Sequence, residues 1–266
     1  MNTPVAESLD SITTALRDCY TAIEALCTDL SDAEWKAQSL CPDWTVRDVI
    51  NHVTSIEAVM AGWLPDDDRT PPPFEKAADF LRDADTDRAT YSDLVRAIYD
   101  RRRNDLAALS GADLMRPSWT PVGPATYGRF LEIRVFDFWV HERDITTPLG
   151  RTTEDTGLGA EIALAEVAGS LGYIVGKKVG LPDGKSITFD LTGPITQQLH
   201  VAVDGRAKAV DHLNNPDVTV VTDSTTFIQL ACGRIDPQAQ IDSGAVSWTG
   251  DSELGDRAAR NLRFTM

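Results

Sequence analysis

Apolar positions recur at helical spacing through the first 180 residues. Over residues 8–30, Leu9, Ile12, Leu16, Cys19, Ile23 and Leu26 fall on one side of a helix. Over 46–63, Val49, His52, Val53, Ile56, Met60 and Trp63 do the same, with residues 31–42 as a short connection between the two. Thr45 with Asp48 three residues on makes a capping-box start for the second helix. Pro65 and Pro71-Pro72-Pro73 end that pattern and predict a long surface crossover. A short helix is expected over 74–81, a third long helix over 90–109, a loop over 117–124 and a fourth helix over 126–147. A stretch rich in Ala, Gly and Leu, 157–179, predicts a fifth, stopped by Gly180-Leu181-Pro182-Asp183-Gly184.

After Lys185 the period changes to two. Residues 186–192, 197–203, 206–210, 217–221 and 243–249 alternate as strands, and Asp204-Gly205 is a hairpin signal. His200 falls opposite Leu199, Val201 and Val203, so it is expected at solvent. Residues 224–232 and 252–262 read as helices. The order predicts an α+β chain, with a helical bundle over 1–180 and a small α+β domain over 181–266.

Composition narrows the partners. The 266 residues are 42% hydrophobic, enough for a real core, and carry a formal net charge of -16. A surface that acidic repels phosphate backbones, so nucleic acid is not an expected partner. The basic run Arg101-Arg102-Arg103 is expected to be a solvated helix face. No apolar run is expected to reach the ~20 residues that span a bilayer, and the first residues lack a basic and apolar leader. A cytoplasmic protein without membrane association is therefore expected. Cys19, Cys27, Cys41 and Cys232 form no CxxC pair and read as reduced, buried thiols.

Candidate chemistry concentrates in residues 136–145, FDFWVHERDI. Asp137 and His141 are four apart, so they share a face of an otherwise apolar helix. A buried carboxylate needs a partner. Asp137 can find one within its helix, in Arg134 or His141, or it can bind a metal. His52 lies on the apolar face of the second helix, where a lone histidine is as a rule a satisfied core residue. Taken together, the three residues suggest that the chain folds to bring His52, Asp137 and His141 around one divalent ion. Arg134 is placed to orient a ligand. Asp144 is placed to orient His141, to cap the helix end or to pair with Arg143.

Three stretches carry a family resemblance: residues 44–52 (WTVRDVINH), residues 134–145 (RVFDFWVHERDI), and Gly233-Arg234 followed by 250–254 (GDSEL) and Arg257. On these the chain resembles the mycothiol-dependent maleylpyruvate isomerase family over nearly its whole length. The resemblance implies a DinB-like bundle of four or five helices joined to a small domain similar to sterol carrier proteins. It implies a divalent metal, zinc above all, on His52, Asp137 and His141, with glutamate in the isomerase where this chain has Asp137. It also implies mycothiol as the thiol cosubstrate, taking the open metal position as thiolate and attacking a small electrophile. Arg234 is the residue it suggests for binding a substrate carboxylate. The product chemistry stays open between cis-trans isomerase and S-transferase. A metal-dependent hydrolase and a non-catalytic small-molecule or lipid carrier are the other two classes, and the residues leave the electrophile and the oligomeric state unassigned.

Overall fold

The computed structural model describes residues 8–77, 79–80 and 87–265. The chain divides into two compact units, Ala6–Glu154 and one running from Asp155 to Met266. The division thus falls well before the Gly180–Gly184 turn where the pattern suggested it. The fifth helical stretch packs on elements of the strand-bearing unit, so it belongs to that unit.

The first unit is helical. Its helices are α1 (Leu9–Asp29), α2 (Asp32–Trp35), α3 (Val46–Met60), α4 (Arg88–Ala107), α5 (Gly111–Leu114) and α6 (Tyr127–Thr146). Ser8 caps α1 and Thr126 caps α6. The Thr45/Asp48 capping box starts α3, with the Thr45 amide donating to Asp48 Oδ2 at 2.8 Å. A second such box, Ser31 with Glu34, makes one helical turn, α2, inside the expected connection. The expected loop over 117–124 closes as a two-residue ladder, in which β1 (Pro117–Ser118) pairs antiparallel with β2 (Ala125–Thr126). A 3-10 turn, Phe74–Lys76, stands at the start of the short helix expected over 74–81, whose residues 78 and 81 lie outside the described residues.

α1, α3, α4 and α6 supply the core. Leu16, Val49, Ile50, Val53, Val95 and Val135 are fully buried, each contributing about 1.5–3 kcal/mol by leaving water. Tyr20 stacks on Tyr99 with ring centroids 4.7 Å apart, and Phe138 meets Tyr20 edge-on at 5.5 Å. These three rings tie α1, α4 and α6 together. The basic run on α4 departs from expectation. Arg101 is exposed, but Arg102 is 2% exposed, because it lies one turn from Tyr99 and Leu106 on the buried face. Its charge is met by Glu57, itself 1% exposed, at 2.8 Å. Arg103 pairs with Glu24 at 2.7 Å.

All four cysteines are free, and Cys27 is buried in α1. Burial pushes its thiol up to about 12, with Arg88 pulling the other way. Iodoacetamide at neutral pH is therefore expected to alkylate Cys27 only once the chain is unfolded. Peptide mass spectrometry with and without denaturant checks this, and equal labelling in both would contradict the buried placement.

In the second unit, five strands stand in the order β5-β4-β3-β6-β7: β3 (Ser186–Thr192), β4 (Gln197–Asp204), β5 (Arg206–Val210), β6 (Val218–Asp223) and β7 (Ser247–Gly250). β3 runs parallel to β6 and the other pairs are antiparallel. The last strand starts later than expected, because Asp236 and Pro237 open a helical turn, Pro237–Asp242, ahead of it. Helices Ser224–Ala231 and Ser252–Arg260 complete the unit.

Two expectations fail here for reasons of packing. His200 is 8% exposed, not at solvent, because β4 is an inner strand; its Nδ1 lies 2.9 Å from Thr188 Oγ1. The helix Gly157–Val179 is long and apolar enough, by length and composition, to cross a membrane. Half of its most apolar window is nonetheless buried within the protein. Gly172 and Gly176 let it approach β5 closely: a Cβ there would stand 3.2 Å from the Ala207 carbonyl oxygen and 3.1 Å from the Ala207 Cβ respectively. Its last turn widens into a π-helix, Ile174–Val179, and Gly180 ends it in the left-handed conformation.

Candidate metal centre

Two helices and one loop build the site. The capping box fixes where α3 begins, and so fixes where His52 points, two turns later. α6 carries Asp137 and His141 one turn apart. The loop before α3 turns at Cys41-Pro42-Asp43-Trp44, with Asp43 at a φ of 63°, a conformation that aspartate tolerates better than most residues. Gln38 holds this turn by donating to the Cys41 and Trp44 carbonyls at 2.8 and 2.9 Å. The Leu40 amide donates to the Asp144 carbonyl at 3.0 Å, which ties the loop to α6.

His52, Asp137 and His141 meet. Asp137 Oδ2 is 3.6 Å from His52 Nε2, and Asp137 Oδ1 is 3.4 Å from His141 Nε2. The two imidazoles cross edge to face with centroids 4.9 Å apart. One ligand atom from each residue lies within 4.8 Å of the others. Ligands about 2.1 Å from a tetrahedral zinc ion stand about 3.4 Å apart, close to the 3.4 and 3.6 Å from the two Asp137 oxygens to the two imidazoles. Trp44 walls the site, its ring centroid 5.1 Å from that of His52 and 6.2 Å from that of His141. His52 and Asp137 keep partial exposure (31% and 26% of the side chain), so the site opens outward on their side.

The charges behind the site are arranged in a buried chain. Arg134 donates to Asp137 Oδ2 and, through Nε, to Glu57 Oε1 at 3.0 Å. Glu57 also accepts from the Tyr20 hydroxyl at 2.6 Å and from Arg102. Burial alone would raise the Asp137 carboxyl. The Arg134 guanidinium and then His141 outweigh it, and hold Asp137 well below the usual carboxylate range. Burial likewise works against charge on His141, but Asp137, with hydrogen bonds to Asp137, Asp144 and Cys41, lifts its imidazole well above the usual value. Both within-helix partners considered for Asp137 are therefore real, and they coexist with the cluster. Asp144 takes the first of its three possible roles: its Oδ2 is 2.9 Å from His141 Nδ1.

Arg234 belongs to the second unit. It follows the Ser224–Ala231 helix, half-buried, and donates to the Cys232 carbonyl at 3.0 Å. Sequence reasoning missed Glu57, Cys41 and Trp44 as parts of the site. Glu57 had a signal: a carboxylate one turn after Val53 on an apolar helix face has to find a cation. Cys41 had none, since nothing in its local pattern announces a partner a hundred residues away.

A helical unit with a His-Asp-His cluster, followed by a small mixed sheet unit, defines a two-domain architecture, and comparison with known proteins gives its family. The model for the mycothiol maleylpyruvate isomerase N-terminal domain matches residues 16–146, and that for the C-terminal domain of the same isomerase matches residues 161–257. The chain belongs to the mycothiol-dependent maleylpyruvate isomerase family. Its fold is similar to the crystal structure of the mycothiol-dependent maleylpyruvate isomerase, at 18% identity, with 94% of this chain and 96% of that chain covered and a TM-score of 0.59. The H52A mutant of that isomerase matches equally well, at 17% identity, the same coverage and a TM-score of 0.59. No curated protein matches the sequence significantly.

Proposed function

We propose that the chain is a metal-dependent mycothiol enzyme, a cis-trans isomerase or S-transferase acting on a small electrophile. The observation that carries this reading is the convergence of His52, Asp137 and His141, in a member of this family, at the mutual spacing of ligands on one ion. Two imidazoles and one carboxylate suit zinc and leave a position open, the layout of a catalytic site; the same set also accepts other divalent ions. A divalent ion held there supplies the charge that lets a thiol, with an ordinary pKa near ~8.5, ionise at neutral pH.

The chain's own residues do the rest. Arg134 keeps Asp137 ionised and fixes which oxygen it presents. Trp44 gives the open side an apolar wall on which a flat substrate can rest. Arg234 is assigned the substrate carboxylate. On an isomerase substrate, the mycothiol sulfur adds to the conjugated double bond, the bond it has made single rotates, and expulsion of the thiol restores the double bond in the other geometry. On a substrate with a leaving group, the sulfur stays and the product is a thioether. The arm of Asp137, one methylene shorter than glutamate, keeps the transferase alternative open. The reading places the protein in the cytoplasm, and four free cysteines support a reducing compartment.

Elemental analysis of protein purified without a metal-binding tag is expected to find about one divalent ion per chain. Maleylpyruvate and other electrophiles are expected to turn over only when mycothiol is added. Hydrolysis without thiol would instead make the chain a hydrolase. An absence of metal, with ligand binding unchanged in His52→Ala, would favour the carrier. Arg234→Ala is expected to raise KM for a carboxylate substrate roughly 10- to 100-fold, the equivalent of one charged hydrogen bond, with little change in kcat. Steady-state kinetics checks this, and an unchanged KM would remove Arg234 from the site.

A further inference from the structure

We propose that Cys41 and Asp144 are positioning residues for His141, a hydrogen-bond chain from thiol to carboxylate to imidazole that presents His141 Nε2 to the metal. The proposal rests on the reading of His52, Asp137 and His141 as metal ligands.

Asp144 is fully buried one turn after His141. Its Oδ2 stands 2.9 Å from His141 Nδ1 and 3.1 Å from Cys41 Sγ. A carboxylate here only accepts, so His141 Nδ1 carries a hydrogen and Nε2, which faces Asp137 and the His52 ring, is the nitrogen left for a metal. The Cys41 thiol donates to the same oxygen, with its sulfur 3.8 Å from His141 Nδ1. That oxygen is thereby held between a loop and a helix. Cys41 is itself fixed: it is 7% exposed, and its amide donates to Ser39 Oγ at 3.1 Å. The Trp44 ring lies within 25° of parallel to the His141 ring, with centroids 6.2 Å apart. One loop therefore supplies both the thiol that steadies Asp144 and the indole that flanks His141.

Cys41, His141 and Asp144 could also be read as a second metal-binding group, since their donor atoms cluster as closely as those of the first. The distances argue against it. The 2.9 Å separation of Nδ1 and Oδ2 is that of a hydrogen bond, shorter than the roughly 3.4 Å between two ligands of one tetrahedral ion. The 3.4 and 3.6 Å separations on the Nε2 side match that ligand spacing.

The test is zinc affinity, measured by competition with a chromogenic chelator, on wild type, Asp144→Asn, Cys41→Ala and Cys41→Ser. Cobalt(II) absorption spectra and melting curves of the metal-free proteins accompany it. Asp144→Asn is expected to weaken zinc binding roughly 10- to 100-fold, the range for lost outer partners of a ligating histidine. Cys41→Ala is expected to weaken it by a smaller factor, and Cys41→Ser to restore it, because the hydroxyl still donates to Asp144. A purely structural role would shift the melting curve of each variant without that pattern of loss and rescue. Wild-type affinity in Asp144→Asn would overturn the proposal, as would a thiolate-to-cobalt charge-transfer band that disappears in Cys41→Ser, since Cys41 would then be a ligand. If Asp144→Asn does not fold, equal affinity in Cys41→Ala and wild type overturns it. Wild-type protein that takes up no zinc brings down the metal reading itself, before any variant is compared.

Discussion

Glu57→Ala is expected to cost the first unit about 3–5 kcal/mol of stability, the range for removing one partner of a buried ion pair. Glu57 is 1% exposed and sits between two buried guanidinium groups, Arg102 at 2.8 Å and Arg134 at 3.0 Å, with the Tyr20 hydroxyl as a third donor. Alanine would leave Arg102 only Asp105, at 3.4 Å, and Arg134 only Asp137 as anionic partners, and the loss comes from the burial of the two cations more than from any gain the pair brings. Urea denaturation followed by circular dichroism measures it. A loss below about 1 kcal/mol, as for a surface pair, would show that the cluster is not buried as described. Pairing Glu57→Leu with Arg102→Met should cost less than the sum of the two single changes, because each removes the charge the other strands. The same group sets an acid limit. Burial raises the Glu57 carboxyl, but Arg102 and then Arg134 prevail and hold it below its ordinary value. A carboxyl depressed in the folded state contributes stability that is full above its unfolded pKa, about 4.3, and is lost as pH falls through the lower folded value. Wild type should therefore lose stability below about pH 4 more steeply than Glu57→Gln does.

Asp137→Ala should abolish metal retention and thiol-dependent turnover together. It removes the one carboxylate shared by both imidazoles, so the fall in zinc affinity should exceed the roughly 100-fold upper range for outer partners. The fold should survive better than in Glu57→Ala, because Arg134 keeps Glu57 and the Val53 carbonyl as acceptors. Elemental analysis beside a melting curve separates the two effects. Asp137→Glu is the informative companion. A longer arm with the same charge should keep the metal, and a change in product ratio between isomer and thioether would show that ion placement selects the reaction. Undiminished zinc in Asp137→Ala would remove Asp137 from the ligand set and with it the three-residue site.

The chain by itself determined what is local. Periodicity gives α1, α3, α4 and α6, the alternation after Lys185 gives the strands, and Thr45 with Asp48 marks where α3 begins. These follow from the chain's own short-range geometry, in which side chains three or four apart on a helix, or two apart on a strand, must share a face. The pairing of Asp137 with His141 is of the same kind. What only the tertiary structure decided depends on residues far apart in the chain. Arg102 sits in a basic run and looks solvated; α3 buries it by supplying Glu57. His200 sits on the polar phase of its strand; Thr188 on the neighbouring strand and the His212 ring lie beside it. Helix 157–179 carries enough apolar residues to suggest a membrane, yet its small residues let it lie against β5. The Cys41–Asp144–His141 chain spans a hundred residues and has no local signature. A side chain's burial and partners belong to the neighbouring elements, and the linear pattern records only the face on which it stands.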